Sequence, residues 1–225
     1  MKQDSPVEST LKTTPFFIGI TGPSGSGKSS IAEALEKKME GAFVLSLDRY
    51  YRSLDHLTMR QRARVNFDRP EALDHEQLQS DLAAIKKGKA VELPVYLFDR
   101  HTRAKTTDFL PGNRQCLIIE GLYALYWPEV RALVDSAVFI DADPELCLQR
   151  RIARDVEERG RTEESVRRQF RRDAMPMFRK NVLPTRQYAD LVLTGQGPVE
   201  DGAEHILEAC RRRPDFPDDP PMKGV

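Results

Sequence analysis

One run of residues has both the types and the spacing to bind phosphates. Gly22-Pro23-Ser24-Gly25-Ser26-Gly27-Lys28-Ser29 fits G-x-x-x-x-G-K-S/T in full. Glycines in this pattern let backbone N–H groups turn inward around phosphate oxygens. The amine of Lys28 is then in reach of the outer phosphates and of the group in transfer, and the Ser29 hydroxyl is placed to hold Mg²⁺. Gly22, Ser24, Gly25, Ser26, Gly27, Lys28, Ser29 and the adjoining Ser30 form the expected phosphate-binding set. Such a loop defines a nucleoside triphosphate site without naming a reaction.

The reaction depends on what stands opposite the phosphates. Transfer to a hydroxyl needs a base near the attacking oxygen. Asp48, Glu120 and Asp141 each follow a short apolar run that reads as a strand, and ligands of open α/β sheets sit beyond the carboxyl ends of strands. Asp48 is the expected base. Glu120 is the expected partner of Ser29 at Mg²⁺, directly or through water. Asp141 is read as a supporting carboxylate, or as a cap on the following turn with Asp143. The alternative for any of the three is a turn carboxylate satisfied by backbone N–H groups.

Residues 150–172 hold nine arginines against five acids. Asp155 to Arg159, Glu157 to Arg161, Glu163 to Arg167 and Glu164 to Arg168 are i, i+4 pairs in the favoured order, so a solvated helical face accounts for much of this run. Arg151 and Arg154 have no acid four residues before them, and Gly160 interrupts the run. A glycine between two arginine-loaded helical arms suits a lid that closes over phosphates, with guanidinium groups of Arg154 and Arg159 offsetting the charge of the transferring group.

These residues need a frame. Phe16–Thr21, Phe43–Leu47, Leu117–Ile119, Val138–Ile140 and Leu191–Leu193 read as buried strands. Between them, Ile31, Leu35 and Met39 share a helical face that Gly41 stops. Leu78, Leu82 and Ile85 share another, with Asp74 and Gln77 as a capping pair and Gly88 as the stop. Asp143-Pro144 is a helix start. The alternation predicts an α/β fold of the phosphate-loop type, a parallel sheet flanked by helices. Residues 91–107 break it and read as a small strand excursion. One domain is expected over residues 15–212, between an unstructured lead (1–14) and a proline-rich unstructured tail (213–225).

Composition narrows the class further. Lys+Arg and Asp+Glu are both 35, so the formal net charge is zero, which argues against nucleic acid as a partner. No apolar run reaches the roughly 18 residues of a membrane span, and no signal-peptide core precedes Phe16. Cys116, Cys147 and Cys210 form no CxxC pair, so neither a disulfide framework nor a zinc site is expected. The reading is a soluble, cytoplasmic protein.

Beyond the phosphate loop, the chain carries Ser46-Leu47-Asp48-Arg49-Tyr50-Tyr51, Asn66-Phe67-Asp68-Arg69-Pro70, Pro94-Val95-Tyr96, His101-Thr102-Arg103, Glu120-Gly121, Arg150-Arg151-Ile152-Ala153-Arg154-Asp155, Glu158-Arg159-Gly160-Arg161, Leu183-Pro184-Thr185 and Tyr188-Ala189-Asp190. In order and spacing these resemble the uridine kinase (uridine–cytidine kinase) family, from about Phe16 to Cys210. The resemblance implies ATP- or GTP-dependent phosphorylation of the 5′-hydroxyl of uridine and cytidine, with Mg²⁺. It implies Asp48 as base, Asp68 and Arg151 on the ribose hydroxyls, Tyr96 and His101 on the pyrimidine, and Tyr51 lining the nucleoside pocket. Arg154 and Arg159 would belong to the lid, Arg161 and Gln169 to the nucleoside side, and the chain to a homotetramer. The family often has Asp where this chain has Leu97, His where it has Arg69 and Tyr where it has Phe170. A related kinase acting on a sugar phosphate such as ribulose 5-phosphate is the nearest alternative; it would need an anion site where Tyr51, Tyr96 and His101 stand. A GTPase-like switch would need N/T-K-x-D and D-x-x-G, which the sequence lacks. A mere nucleotide-binding module would need no acceptor base.

Overall fold

The structure is a computed structural model and describes residues 14–62 and 64–217. The expected lead, apart from Thr14, and the chain beyond Pro217 lie outside the described residues. The strands among the described residues are β1 (Phe16–Thr21), β2 (Ala42–Ser46), β3 (Val91–Leu97), β4 (Thr102–Leu110), β5 (Cys116–Glu120), β6 (Ser136–Asp141) and β7 (Leu191–Thr194). The helices are α1 (Lys28–Lys38), α2 (Met59–Arg62), α3 (His75–Lys86), α4 (Pro128–Arg131), α5 (Pro144–Glu157), α6 (Glu163–Gln169), α7 (Met175–Met177) and α8 (Val199–Arg211).

Five strands form one sheet in the order β2-β5-β1-β6-β7, with every pair parallel. A parallel sheet must be covered on both faces, and β1 is buried throughout. Its period-two alternation sends Phe16, Ile18 and Ile20 to the side of Ile31 and Leu35 of α1 and Ile206 of α8. Phe17 goes to the opposite side, with Leu78, Leu82 and Ile85 of α3. The five expected strands are all present, each end within two residues of its expected place. Gly41 (φ 73°) and Gly88 (φ 67°) follow α1 and α3 in the left-handed conformation, and Asp74 accepts from Gln77 N at 3.4 Å.

The strand excursion is an antiparallel β3–β4 ribbon that runs to Leu110, three residues beyond its expected end. Two arginines fasten it to the chain leaving β2. Arg49 donates to Asp108 (2.7 Å) and to the Pro94 carbonyl (3.3 Å). Arg103 reaches back to the carbonyls of Tyr51 (2.8 Å) and Tyr50 (3.1 Å).

Helix α5 starts on Asp143, whose carboxylate accepts from Glu145 N and Leu146 N. It ends at Glu157, and Gly160 (φ 60°) turns the chain into α6, capped by Thr162. This stop corrects one expected pair. Asp155–Arg159 (3.5 Å), Glu163–Arg167 (2.7 Å) and Glu164–Arg168 (3.6 Å) form as expected. Glu157–Arg161 does not, because the helix is over before Arg161; its side chain goes to Asp155 at 3.0 Å. After α6 the chain widens into π-type turns at Phe170–Ala174 and Phe178–Val182, on either side of Pro176, which has no N–H to give a regular helix.

The segment expected to lose structure at Arg213 packs as far as Phe216. That ring is 8% exposed and meets Phe16 edge-on at 5.0 Å, and Arg213 pairs with Asp190 at 3.5 Å. The prolines hid an aromatic plug for the end of the core. Phe216→Ala should therefore cost about 3 kcal/mol of folding stability, the lower end of the usual range for a phenylalanine, because the ring is at the edge of the core. Urea unfolding measures it; a midpoint equal to the parent's would mean the ring contributes nothing.

Candidate active site

The carboxyl edge of the sheet opens into a cleft of about 600 Å³, in the usual range for a small-molecule site. Its floor is the loop between β1 and α1. Gly25 has φ 87°, and a Cβ there would stand 2.3 Å from the Cys147 carbonyl oxygen. The loop is thus seated directly on α5. Arg150 locks it from the side, donating to the carbonyls of Gly195 (2.7 Å) and Ser26 (3.4 Å). Lys28 is buried and donates to the Pro23 carbonyl at 3.3 Å. Burial holds its ammonium below the ordinary lysine range, while Glu120 and Asp48 pull the other way.

Glu120 ends β5 beside Ser46 of β2 and Ile20 of β1. Ser29 Oγ donates to Glu120 Oε2 at 3.0 Å. These two oxygen donors fit Mg²⁺, a hard ion that keeps several waters and takes its other oxygens from substrate phosphates. Among the described residues, no group of three or more His, Cys, Asp or Glu makes an all-protein metal cage.

Asp48 stands just past β2 on a short turn capped by Ser46 Oγ. It lines the cleft between the Lys28–Glu120 end and a wall of rings. Burial, then Glu120, raise its carboxyl above the ordinary aspartate range; Lys28, Arg159 and Arg154 oppose this. The wall begins with Tyr51, whose ring lies 5.2 Å from Tyr96 and 5.5 Å from Phe67. Phe67 stacks on His101 at 4.9 Å, and Tyr96 meets Phe98 at 5.2 Å. The Tyr96 hydroxyl is buried without a partner. Burial, then Arg159, lower the His101 imidazolium's pKa, which favours the neutral ring.

The same cleft holds a buried fork. Arg151 donates to both Asp68 oxygens, at 3.1 and 3.4 Å, and each side chain is 7% exposed. Asp68 is held by Asn66, which accepts its N–H at 2.9 Å, and by Tyr123, which donates to its carbonyl. Arg151 arrives on the buried stripe of α5: Cys147, Arg151 and Asp155 follow at i, i+4 and i+8. Cys147 underlies the phosphate loop, Arg151 meets the fork, and Asp155 gathers the arginines of the roof. Arg154, Arg159 and Arg161 line that roof with Gln169.

Lys28, Ser29, Asp48, Tyr51, Asp68, Tyr96, His101, Glu120, Arg151, Arg154, Arg159, Arg161 and Gln169 thus face one cleft, with Ser24 at its floor. Gly22, Gly25, Ser26 and Gly27 shape the loop, while Ser30 is exposed on the first turn of α1. Asp141 takes no part; its exposed carboxylate lies 3.6 Å from Arg186. Sequence reasoning missed three residues: Phe67 and Phe98 in the ring wall, and Asp155. Phe67 stood inside a noted motif, and period two from Tyr96 would have flagged Phe98. Nothing local distinguished Asp155 from an ordinary i, i+4 partner. Phe170, where the related family often has Tyr, is buried against Cys147, Leu148 and Ala174, a packing place with no call for a hydroxyl.

A glycine loop opening a helix at the carboxyl edge of a parallel sheet, faced by carboxylates and an arginine roof, defines a phosphate-loop kinase fold. Solved structures share it: phosphoribulokinase from Rhodobacter spheroides (TM-score 0.59, 16% identity, 84% of this chain and 74% of that one) and D-glycerate 3-kinase from Cryptococcus neoformans (0.52, 20%, 73% and 78%). The model of the Phosphoribulokinase / Uridine kinase family matches residues 17–201, and the chain belongs to that family. It is similar to the uridine kinase of Shewanella amazonensis (40% identical over 199 residues, 86% of this chain and 93% of that protein). It is also similar to the uridine kinase of Macrococcus caseolyticus (42% over 189 residues, 83% and 90%).

The loop's seat on α5 is testable. Gly25→Ala forces its Cβ against a backbone carbonyl at positive φ, so the loop must shift and triphosphate binding should fall by at least about tenfold, the equivalent of about 1.4 kcal/mol and within the usual cost of backbone strain. Gly197→Ala, with nothing within 4 Å, should bind like the parent. Equal affinities for a fluorescent ATP analogue in both variants would refute the close packing.

Proposed function

We propose that this protein is a nucleoside kinase that transfers the γ-phosphoryl group of ATP or GTP to the 5′-hydroxyl of uridine and cytidine, giving UMP and CMP. The observation that carries the reading is one cleft lined by a phosphate loop, a carboxylate, a carboxylate–guanidinium fork and a wall of rings. A flat base suits the rings. The family match and the uridine kinases similar over most of the chain support the same substrate class. The rival substrate, a phosphorylated sugar, would lay its anion against the rings of Tyr51, Phe67, Tyr96 and His101, which match a flat base better.

In this mechanism Tyr51, Tyr96 and His101 take the base, helped by Phe67, and the unpartnered Tyr96 hydroxyl bonds to its polar edge. Arg161 and Gln169 close over the nucleoside. Ionised Asp68 is an acceptor only, which suits the two adjacent ribose hydroxyls as donors; Arg151 completes that site. Asp48 takes the 5′-hydroxyl proton. The freed 5′-oxygen forms a bond to the γ-phosphorus as the bond to the bridging β–γ oxygen breaks, and the nucleoside diphosphate leaves with that electron pair. Lys28, Arg154 and Arg159 offset the charge spread over the transferring group. Ser29 and Glu120 would hold Mg²⁺, which neutralises phosphate charge when bound. The residues around Gly160 act as the lid's hinge. As the composition suggests, the enzyme works in the cytoplasm; by the resemblance to uridine kinases it is a homo-oligomer, a tetramer.

A panel of nucleosides and ribulose 5-phosphate, with ATP and Mg²⁺ and ADP release as readout, tests the assignment. Uridine and cytidine should be turned over; turnover of the sugar phosphate alone would overturn it. Lys28→Ala should remove most transfer from a folded protein.

Asp48→Asn should lower kcat by about 10²–10⁴-fold, the range for a positioned base, with ATP affinity far less changed. The pH profile adds a sign. A carboxyl raised by burial and Glu120 stays protonated to higher pH than an ordinary aspartate, so the acid limb of kcat/KM should lie above the ordinary aspartate range. Arg159 pulls that carboxyl down, so Arg159→Gln should move the limb to still higher pH. A limb unmoved in that variant would remove Asp48 as the base.

Sugar discrimination tests the fork. A site built to bond a hydroxyl rejects the analogue lacking it strongly, sometimes by about 10⁴, so ribonucleosides should be much preferred. Asp68→Ala should lower kcat/KM for uridine far more than for deoxyuridine. Equal declines, with the preference intact, would leave Asp68 only the turn it makes with Asn66.

A further inference from the structure

Asp155 is the one fully buried carboxylate on α5, and it sits in the last turn of that helix, two residues before Glu157. Both facts count against it. Burial disfavours its charge, and the negative end of the helix dipole disfavours an acid there. Burial alone would raise its carboxyl; Arg154, then Arg159 and Arg151, hold it below the ordinary aspartate range.

The arginines divide between its two oxygens. Oδ1 takes Arg154, at 3.0 Å from Nε and 2.8 Å from Nη2, and Arg159 at 3.5 Å. Oδ2 takes Arg161 at 3.0 Å and the Nε of Arg151 at 3.8 Å. In the proposed reaction, on which this inference rests, the first pair serves the phosphates and the second serves the nucleoside. The division is therefore functional as well as spatial. Arg159 also lies 5.1 Å over the ring of Phe98, which touches Tyr96, so one of the phosphate-side arginines is in contact with the ring wall too.

We infer that Asp155 is a positioning residue that ties the arginines of the phosphate end to those of the nucleoside end, so that filling one end sets the geometry of the other. A carboxylate shared by four cations cannot hold all of them at full strength. Nucleoside that draws Arg151 and Arg161 toward the ribose and base loosens their hold on Oδ2. Oδ1 and the triphosphate are then left to share Arg154 and Arg159. Phosphate oxygens entering from the loop side replace Oδ1 as the acceptor. Asp155, released from Arg151 and Arg161, holds Arg154 and Arg159 the more strongly, so the nucleoside and the triphosphate should bind with negative coupling that runs through this one side chain, equal in both directions.

The test is a set of four affinities by calorimetry: uridine and the Mg²⁺ complex of a non-hydrolysable ATP analogue, each alone and each with the other bound. In the parent enzyme each ligand should weaken the other by about tenfold, a common size for linked sites. Asp155→Asn keeps the shape and removes the charge, and should bring the ratio to within about twofold of unity. A merely structural role would weaken both ligands alone and leave the ratio unchanged; that result, or no coupling in the parent, overturns the inference. Thermal unfolding shows whether the variant is folded. If it is not, Arg154→Gln, Arg161→Gln and the double variant take its place, since those two side chains meet at Asp155: non-additive effects on kcat/KM support the role and additive ones overturn it. A parent that phosphorylates no nucleoside takes away the reaction and this inference together. A working parent whose ratio ignores Asp155→Asn strikes the inference alone.

Discussion

Strands β2, β5 and β1 are paired so that Ser46, Glu120 and Ile20 lie level with one another. Everything chemical in the molecule hangs on that register. Two residues past Ser46 comes Asp48, and two past Ile20 comes Gly22, the start of the phosphate loop. The proposed base, the carboxylate proposed for Mg²⁺ and the glycine loop therefore share one edge, although they are far apart in sequence. A slip of one residue in a strand would turn its side chains to the other face. Here such a slip would bury Phe17 where Phe16 and Ile18 now pack, so the two apolar cores fix the chemistry by fixing the register.

The second constraint is electrostatic. Arg151 and Asp68 are both withdrawn from water, as is Asp155. Buried ion pairs contribute little net stability compared with apolar packing, but losing one partner leaves an uncompensated charge and costs roughly 3–5 kcal/mol. Such an arrangement is poor economy for a fold and good design for a site, because the same groups are already desolvated and oriented when a substrate arrives. The stripe Cys147, Arg151, Asp155 on α5 shows how little sequence this requires. One helical face moves from seating the loop, to clamping the fork, to holding the roof, at steps of four residues.

What was legible in the sequence was local or periodic. The phosphate loop is a contiguous pattern with a backbone reason for each glycine. Asp48 and Glu120 are read from apolar runs that end in an acid, and β1, α1 and α3 from their periods and stops. What was not legible depended on where the chain stops being regular. The pair Glu157–Arg161 follows the helix rule, but the rule lapses where α5 ends. Asp155 looked like one end of an i, i+4 pair, and only the turn at Gly160 brings Arg161 back to it. Phe216 sat among prolines and charges whose composition outweighed one ring. The wide turns on either side of Pro176 have no pattern shorter than the fold itself.

A chain of zero net charge builds a cleft in which the principal cations stand beside carboxylates. Lys28 faces Glu120 and Asp48, Arg151 faces Asp68, and Arg154, Arg159 and Arg161 face Asp155. Asp155 offsets the mutual repulsion of the arginines in a partly desolvated roof, and Glu120 and Asp48 oppose the effect of burial on Lys28. This pairing also means that a triphosphate, besides meeting the backbone N–H groups of the glycine loop, binds the arginines by exchange: there a phosphate oxygen must take the place of a carboxylate already engaged. Exchange of this kind selects for acceptors with the reach and spacing of several oxygens at once. A neutral nucleoside meets no such competition at the ring wall. The two ends of the cleft therefore discriminate by different physics, charge replacement at one and flat apolar contact at the other, and Asp48 stands at the boundary where the two substrates must meet.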